Sequence, residues 1–236
     1  MEIFIGTSGW LYDWNIDGTL NWYLQNSRLN AIELNASFYR FPFRNQVSSW
    51  AKKTSIYGIR WAVKVFRGIT HYRKLSYKAI DIWRKFYELF TPLDMYIDFY
   101  LFQMPPNFVA SDENIEKLKQ FAKIVALGER LAIEFRHNSW FTINVIDQLK
   151  KFNATIVSID SPIGRWIVSS NNIVYMRLHG SYTWYAYEYS YEELEDIARR
   201  IVELNPKKIY VFFNNDHWML ENARTMMSIL TRINKI

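Results

Sequence analysis

The chain of 236 residues carries 29 Lys and Arg against 23 Asp and Glu, for a formal net charge of +6 and a pI near 9.3. Half of it is hydrophobic and 18% is aromatic, which excludes a disordered chain, and the absence of cysteine excludes disulfides, thiolate metal sites and a cysteine nucleophile. The start, Met1 to Gly6, lacks the basic opening and long apolar run of a signal peptide, and no apolar stretch is long enough to span a bilayer. A cytoplasmic protein without membrane contact is therefore expected, and its positive charge favours anionic partners, either a small anionic substrate or nucleic acid.

Taken in chain order, short apolar runs rich in β-formers alternate with segments of helical period. The first run, residues 2–6, ends at Thr7 and Ser8 and precedes a helical pattern over 20–25. The second, 31–35, ends with Glu33 and Asn35 and leads to a helix over 47–54. The third, 60–66, contains Lys64 and is followed by a helix over 77–90 that Pro92 ends. A fourth run, 95–103, ends at Gln103. The helix after it, 112–126, starts behind Ser111 and stops before Gly128. The fifth, 131–135, carries Glu134 and then Arg136, ahead of a helix over 141–152. The sixth, 154–159, meets Asp160, but residues 161–172 hold Pro162 and Gly164 and no helical period, so a loop crossover is expected there. The seventh, 173–178, carries Arg177 and then His179, and Ser190 with Glu193 forms a capping box for a helix over 191–204. The eighth, 208–213, ends at Asn214 and Asn215 before a last helix over 217–233.

Eight strands with intervening helices predict an α/β fold in one domain over residues 1–236, either a TIM-like (β/α)8 barrel or an open doubly wound sheet. The strand ends favour the barrel. All eight are polar, whereas an open sheet concentrates its chemistry at one switch point. The barrel expected here lacks a helix between its sixth and seventh strands.

Three ends carry an i, i+2 pair, Glu33 with Asn35, Glu134 with Arg136 and Arg177 with His179, and period-two alternation sends both members to one side of the sheet. These residues could be polar plugs that pair across the mouth. Burying so many ions costs several kcal/mol each, however, which argues for a ligand. Glu33, Glu134, Asp160 and His179 are the candidate catalytic groups. Asn35, Tyr39, Lys64, His71, Gln103, Arg136, Trp140, Arg177, Asn214 and Asn215 are the candidate substrate-binding groups.

The mixture of signs bears on the ligand. A divalent metal could use Glu33, Glu134, Asp160 and His179, but competing cations disfavour it. Lys64, Arg136 and Arg177 suit a phosphate or carboxylate. Glu33 and Glu134 could form a glycosidase-type pair, and Asp160 could orient His179 as a base. Trp10, Tyr12, Trp14, Phe38, Tyr39 and Trp140 could form stacking walls, and residues 181–190, with Tyr182, Trp184, Tyr185, Tyr187 and Tyr189, are the candidate lid.

The order of motifs resembles a known family. Gly6-Thr7-Ser8-Gly9-Trp10, Glu33-Leu34-Asn35 through Phe38-Tyr39, and Ile69-Thr70-His71 look like the YecE-like family, domain of unknown function 72. Gln103-Met104-Pro105-Pro106, Glu134-Phe135-Arg136-His137 with Trp140, Arg177-Leu178-His179-Gly180 and Phe213-Asn214-Asn215 with Asn222-Ala223 follow in the family's order. The resemblance spans essentially the whole chain and implies a TIM-like barrel with a polar pocket at its strand ends, without implying an activity. It departs after Trp14, where the chain looks shortened, and at Trp218-Met219-Leu220, which is bulky where small residues are expected. The candidate functions are a hydrolase or lyase acting on a phosphorylated or nucleic-acid-derived anion, a sugar-active enzyme of glycosidase or isomerase type, and a non-catalytic module binding nucleic acid or another ligand.

Overall fold

The computed structural model describes residues 1–234. Eight parallel strands form the ring: β1 (Glu2–Thr7), β2 (Ala31–Leu34), β3 (Arg60–Lys64), β4 (Ile97–Gln103), β5 (Leu131–Glu134), β6 (Thr155–Ser161), β8 (Ile173–Leu178) and β9 (Lys208–Phe213). A short strand, β7 (Gly164–Trp166), falls in residues 161–172 and turns back antiparallel on β6, pairing Asp160 with Arg165. Around the ring run α1 (Leu20–Asn26), α2 (Arg44–Tyr57), α3 (Ile80–Phe90), α4 (Asp112–Val125), α5 (Ile143–Lys150), α6 (Tyr191–Glu203) and α7 (Met219–Ile233). The strand order β1-β9-β8-β6-β5-β4-β3-β2 makes this a nearly closed TIM-like barrel.

The expected helix starts are built as their residues dictate. Ser190 Oγ accepts from Glu193 N while Glu193 accepts from Ser190 N, and Ser111 accepts from Asn114 N. Elsewhere local chemistry moves the boundaries. Residues Thr91–Tyr96, with Pro92 in their first turn, wind into a 3-10 helix, so the fourth strand begins only at Ile97. Another turn, Gly68–Tyr72, follows β3 and carries His71 inward.

The ring closes differently between β1 and β2 than anywhere else. Backbone pairing there shrinks to one bridge, Ser8 with Glu33, and side chains stitch the remainder. Asn30 accepts from Ile5 N and donates to Ile3 O, both at 2.8 Å, and the Tyr23 hydroxyl accepts from Thr7 N and donates to Ala31 O. Gly6 permits this approach, because a Cβ at that position would lie 2.4 Å from the Ala31 carbonyl oxygen.

Period-two alternation sorts the strand residues into two layers. Phe4, Ala31, Ala62, Phe99, Leu101, Ala132, Val157, Ile159, Tyr175, Tyr210 and Phe212 pack together inside the ring. The alanines on β2, β3 and β5 leave room for the bulky rings of β4, β8 and β9. Residues of the opposite parity, such as Ile32, Val63, Ile133, Val174 and Val211, pack outward against the helices. No helix among the described residues is long and apolar enough to cross a membrane.

Candidate active site

Continuing the inward parity past the packed interior leads to the C-terminal mouth. On β1, β2, β3, β4, β5, β8 and β9 the next inward positions are Ser8, Glu33, Lys64, Gln103, Glu134, Arg177 and Asn214. One step further along β2, β5 and β8 stand Asn35, Arg136 and His179. Glu33, Glu134, Arg177 and His179 are fully buried there.

Arg177 is the hub. Its Nε and Nη2 donate to the two oxygens of Glu33 at 2.9 and 2.6 Å, and its Nη1 donates to Glu134 Oε2. Glu33 is saturated, since Ser8 Oγ and the Tyr175 hydroxyl, the latter at 2.7 Å, also donate to it. Glu134 is not. Its Oε1 forms an ion pair with Arg136 Nε, but the two atoms are misaligned for a hydrogen bond and both remain without a hydrogen-bond partner. Burial opposes ionisation of Glu134, yet Arg136 and Arg177 outweigh it and hold this carboxyl well below its usual range. Burial also disfavours a charged Arg177, and here Glu134 and Glu33 prevail, raising its pKa.

His179 is neutral, because burial and then Arg136 and Arg177 push its pKa well below the usual value. Arg136 Nη2 lies 3.0 Å and Arg177 Nη1 3.4 Å from its Nε2, and Asn214 Nδ2 lies 3.1 Å from its Nδ1. Guanidinium groups only donate, so Nε2 must be the acceptor and Nδ1 must carry the proton. The Asn214 amide then faces Nδ1–H through its oxygen, the reverse of the amide assignment in these contacts. His179 is thus an acceptor for two arginines, which leaves it poorly placed as a free base.

Lys64 stands apart. It is 6% exposed, its Nζ sits 4.3 Å above the centre of the Phe38 ring, and among the described residues it has no carboxylate in ion-pair reach. Burial first, then the charge of Arg177, pull its pKa down to about 7. His71 packs edge-on with Phe38, their ring centres 4.9 Å apart, and burial with Lys64 and Arg136 nearby lowers its pKa to about 4. Arg67 lies 5.8 Å from the Tyr39 ring and 5.6 Å from Tyr72. Arg136 lies 4.7 Å over Trp184, whose ring also approaches His179. Beside the mouth, Ser8, Tyr12, Asn35 and Tyr39 help line a cavity of about 270 Å³. Asn35 Oδ1 is buried there without a partner.

Three expected residues do not join this cluster. Asp160 has the outward parity of β6, opposite to Ile159, and it accepts from Arg165 Nε at 2.8 Å, Ser181 Oγ at 2.6 Å and the Tyr189 hydroxyl at 2.7 Å. It therefore fastens β7 and the 181–189 loop and does not orient His179, whose side chain it does not touch. Asn215 is outward too, and donates to Tyr187 O and Asn222 Oδ1. Trp140 is fully buried between Phe135 and Phe108, with its indole N–H donating to Phe108 O at 2.6 Å. Gln103 stands in register with Glu134 at the edge of the mouth. Sequence reasoning passed over Tyr175, Arg67 and Arg165. Tyr175 could have been found by extending the Arg177 and His179 alternation back by two residues.

The donor set does not fit a divalent metal. Among the described residues no three His, Cys, Asp or Glu side chains gather to hold one. Both mouth carboxylates are bonded to Arg177, arginines face His179 Nε2, and Asp160 lies outside the ring.

These features define a (β/α)8 barrel with a buried, arginine-centred polar mouth. The chain belongs to the family described as "Protein of unknown function DUF72", whose profile matches residues 4–235. A DUF72 family protein of Thermotoga maritima MSB8 is similar in structure, with 26% identity over 98% of this chain and 100% of that one and a TM-score of 0.83. A DUF72 family protein of Enterococcus faecalis V583 matches at 24% identity over 98% of each chain, with a TM-score of 0.81. D-Psicose 3-epimerase of Clostridium cellulolyticum H10 shares the fold alone, at 12% identity, 100% and 99% coverage and a TM-score of 0.59. No curated protein matches the chain.

Proposed function

We propose that the mouth is the active site of an enzyme, a hydrolase or lyase, that takes a small anionic substrate. The supporting observation is the excess of cations. Glu33 and Glu134 are balanced by Arg177 and Arg136, so among the described residues Lys64 and Arg67 remain without a carboxylate in ion-pair reach. A phosphate or carboxylate group would supply that charge, and the guanidinium of Arg136, lying over the Trp184 ring, suits a bidentate contact. Glu134, ionised and gripped by two arginines, is unsuited to the general-acid role of a glycosidase, which needs a carboxyl with a raised pKa.

A neutral sugar is the second reading, favoured by the aromatic rim of Tyr12, Tyr39, Trp184 and Tyr185. Calorimetric titration with phosphorylated sugars and their parent sugars separates the two. Binding about tenfold tighter for the phosphorylated compounds, lost in Arg136→Met, is expected from one charge-assisted contact. Equal affinity would favour the sugar reading, and no binding by either class would remove both.

A further inference from the structure

We infer that Lys64 is a nucleophilic amine that forms an imine with the carbonyl group of a small aldehyde or ketone carrying a phosphate or carboxylate. This inference rests on the anionic-substrate reading above and adds the reacting group. Lysines buried on barrel strands normally meet a carboxylate, because a lone ammonium out of water is costly. Lys64 meets none: Glu33 is saturated by Ser8, Tyr175 and Arg177, and Glu134 is bonded to Arg177 and paired with Arg136. The backbone at Lys64 is fixed, since its carbonyl accepts from Ser37 Oγ at 2.6 Å and the strand is paired on both sides. Its amine lies over the face of Phe38, 4.3 Å from the ring centre, and among the described residues it makes no hydrogen bond.

Burial among cations also serves reactivity. An amine titrating near 7 is partly unprotonated at neutral pH and has a lone pair available, as a solvent-exposed lysine does not. The covalent step needs no further reagent. The lone pair forms the C–N bond, one amine proton passes to the carbonyl oxygen, and the second leaves with that hydroxyl as water, so imine and water are the products. Arg136 and Arg67 would hold the anionic end, which leaves Lys64 to face the carbonyl. The imine then draws electron density from the neighbouring carbon, as a lyase requires.

Borohydride trapping tests this with two small probes, glycolaldehyde phosphate and glycolaldehyde, followed by peptide mapping of the wild-type protein. The expected result is reductive labelling of Lys64 in roughly tenfold excess over any other lysine at neutral pH, faster with the phosphorylated probe. Lys64→Arg should abolish the adduct, with circular dichroism confirming an intact fold. Labelling spread over exposed lysines with Lys64 unmodified would overturn the inference, and if inorganic phosphate still bound, the anionic pocket would survive it. Equal labelling of Lys64 by both probes would support the imine while removing the preference for an anion.

Discussion

The two ends of the barrel solve the same electrostatic problem in opposite ways. At the N-terminal end, Arg60 pairs with Asp98 and Arg130 with Asp94, and tyrosines complete each carboxylate: Tyr210 donates to Asp98, while Tyr100 and Tyr87 donate to Asp94. Every carboxylate oxygen there has a donor, and the ions keep between 17 and 30% of their side-chain surface in water. At the C-terminal end Glu33 and Glu134 are fully buried and share Arg177, Glu134 Oε1 lacks a hydrogen bond, and among the described residues Lys64 has no carboxylate in ion-pair reach. The N-terminal end is a set of partly hydrated ion pairs whose two carboxylates are fully engaged, although Arg130 Nε is buried without a partner. The C-terminal end differs in burying its ions fully and in sharing one arginine between two carboxylates.

The sharpest way to break this contrast is Arg177→Met. Removing the shared cation strands two buried carboxylates, and the expected loss is about 3–5 kcal/mol, read as a fall in melting temperature of roughly 6–20 °C. In the wild type, Glu134 contributes stability that is complete above pH 4.5, its unfolded value, and is lost as pH falls through its depressed folded value. A variant as stable as wild type at neutral pH would show that the cluster carries no structural weight.

Lys64→Met probes the uncompensated cation. The folded pKa near 7 lies below the unfolded 10.5, so between these values the unfolded chain binds more protons and stability rises with pH. The penalty for burying the charge is fully present below pH 7 and fades as pH approaches 10.5. It arises among Arg177, Arg136, Glu134, Glu33 and His71. The variant should gain on wild type by a few kcal/mol, on the order of 4, at pH 6, and the gain should shrink by pH 10. A pH-independent difference in thermal melts would contradict this assignment.

Arg60→Met should have the smallest effect. The pair it breaks is partly hydrated, and a cost of about 1 kcal/mol or less is expected in urea unfolding. A loss equal to that of Arg177→Met would erase the distinction between the two ends.

The barrel was legible because each strand carries its own apolar run and several helices carry a cap, Ser111 and Ser190 among them. Most of the site was legible from parity: Ala31, Glu33 and Asn35, or Ala132, Glu134 and Arg136, run from the packed interior to the mouth on one face. The same rule, carried through, sets Asp160 and Asn215 on the outer face. Both lie next to a strand end, where nearness alone points to the pocket, but parity counted back to the inward Ile159 and Phe212 points them away from it. Trp140 follows its strand by several residues, where alternation no longer applies and stacking on Phe135 decides its place. Arg67 and β7 lie in connections whose paths depend on tertiary packing, so no periodic signal announced them.

The seam between β1 and β2 gives the ring a preferred line of fracture. Seven of its joints are backbone ladders, whereas this one is laced by Tyr23, Asn30 and a single bridge. Amide hydrogen exchange should run faster along β2 than in β8 and β9, which are paired over six residues. The bridge residues Ser8 and Glu33 also belong to the Arg177 network, so a ligand held at the proposed site would brace the lacing, and breathing of the cylinder would then gauge occupancy of the mouth.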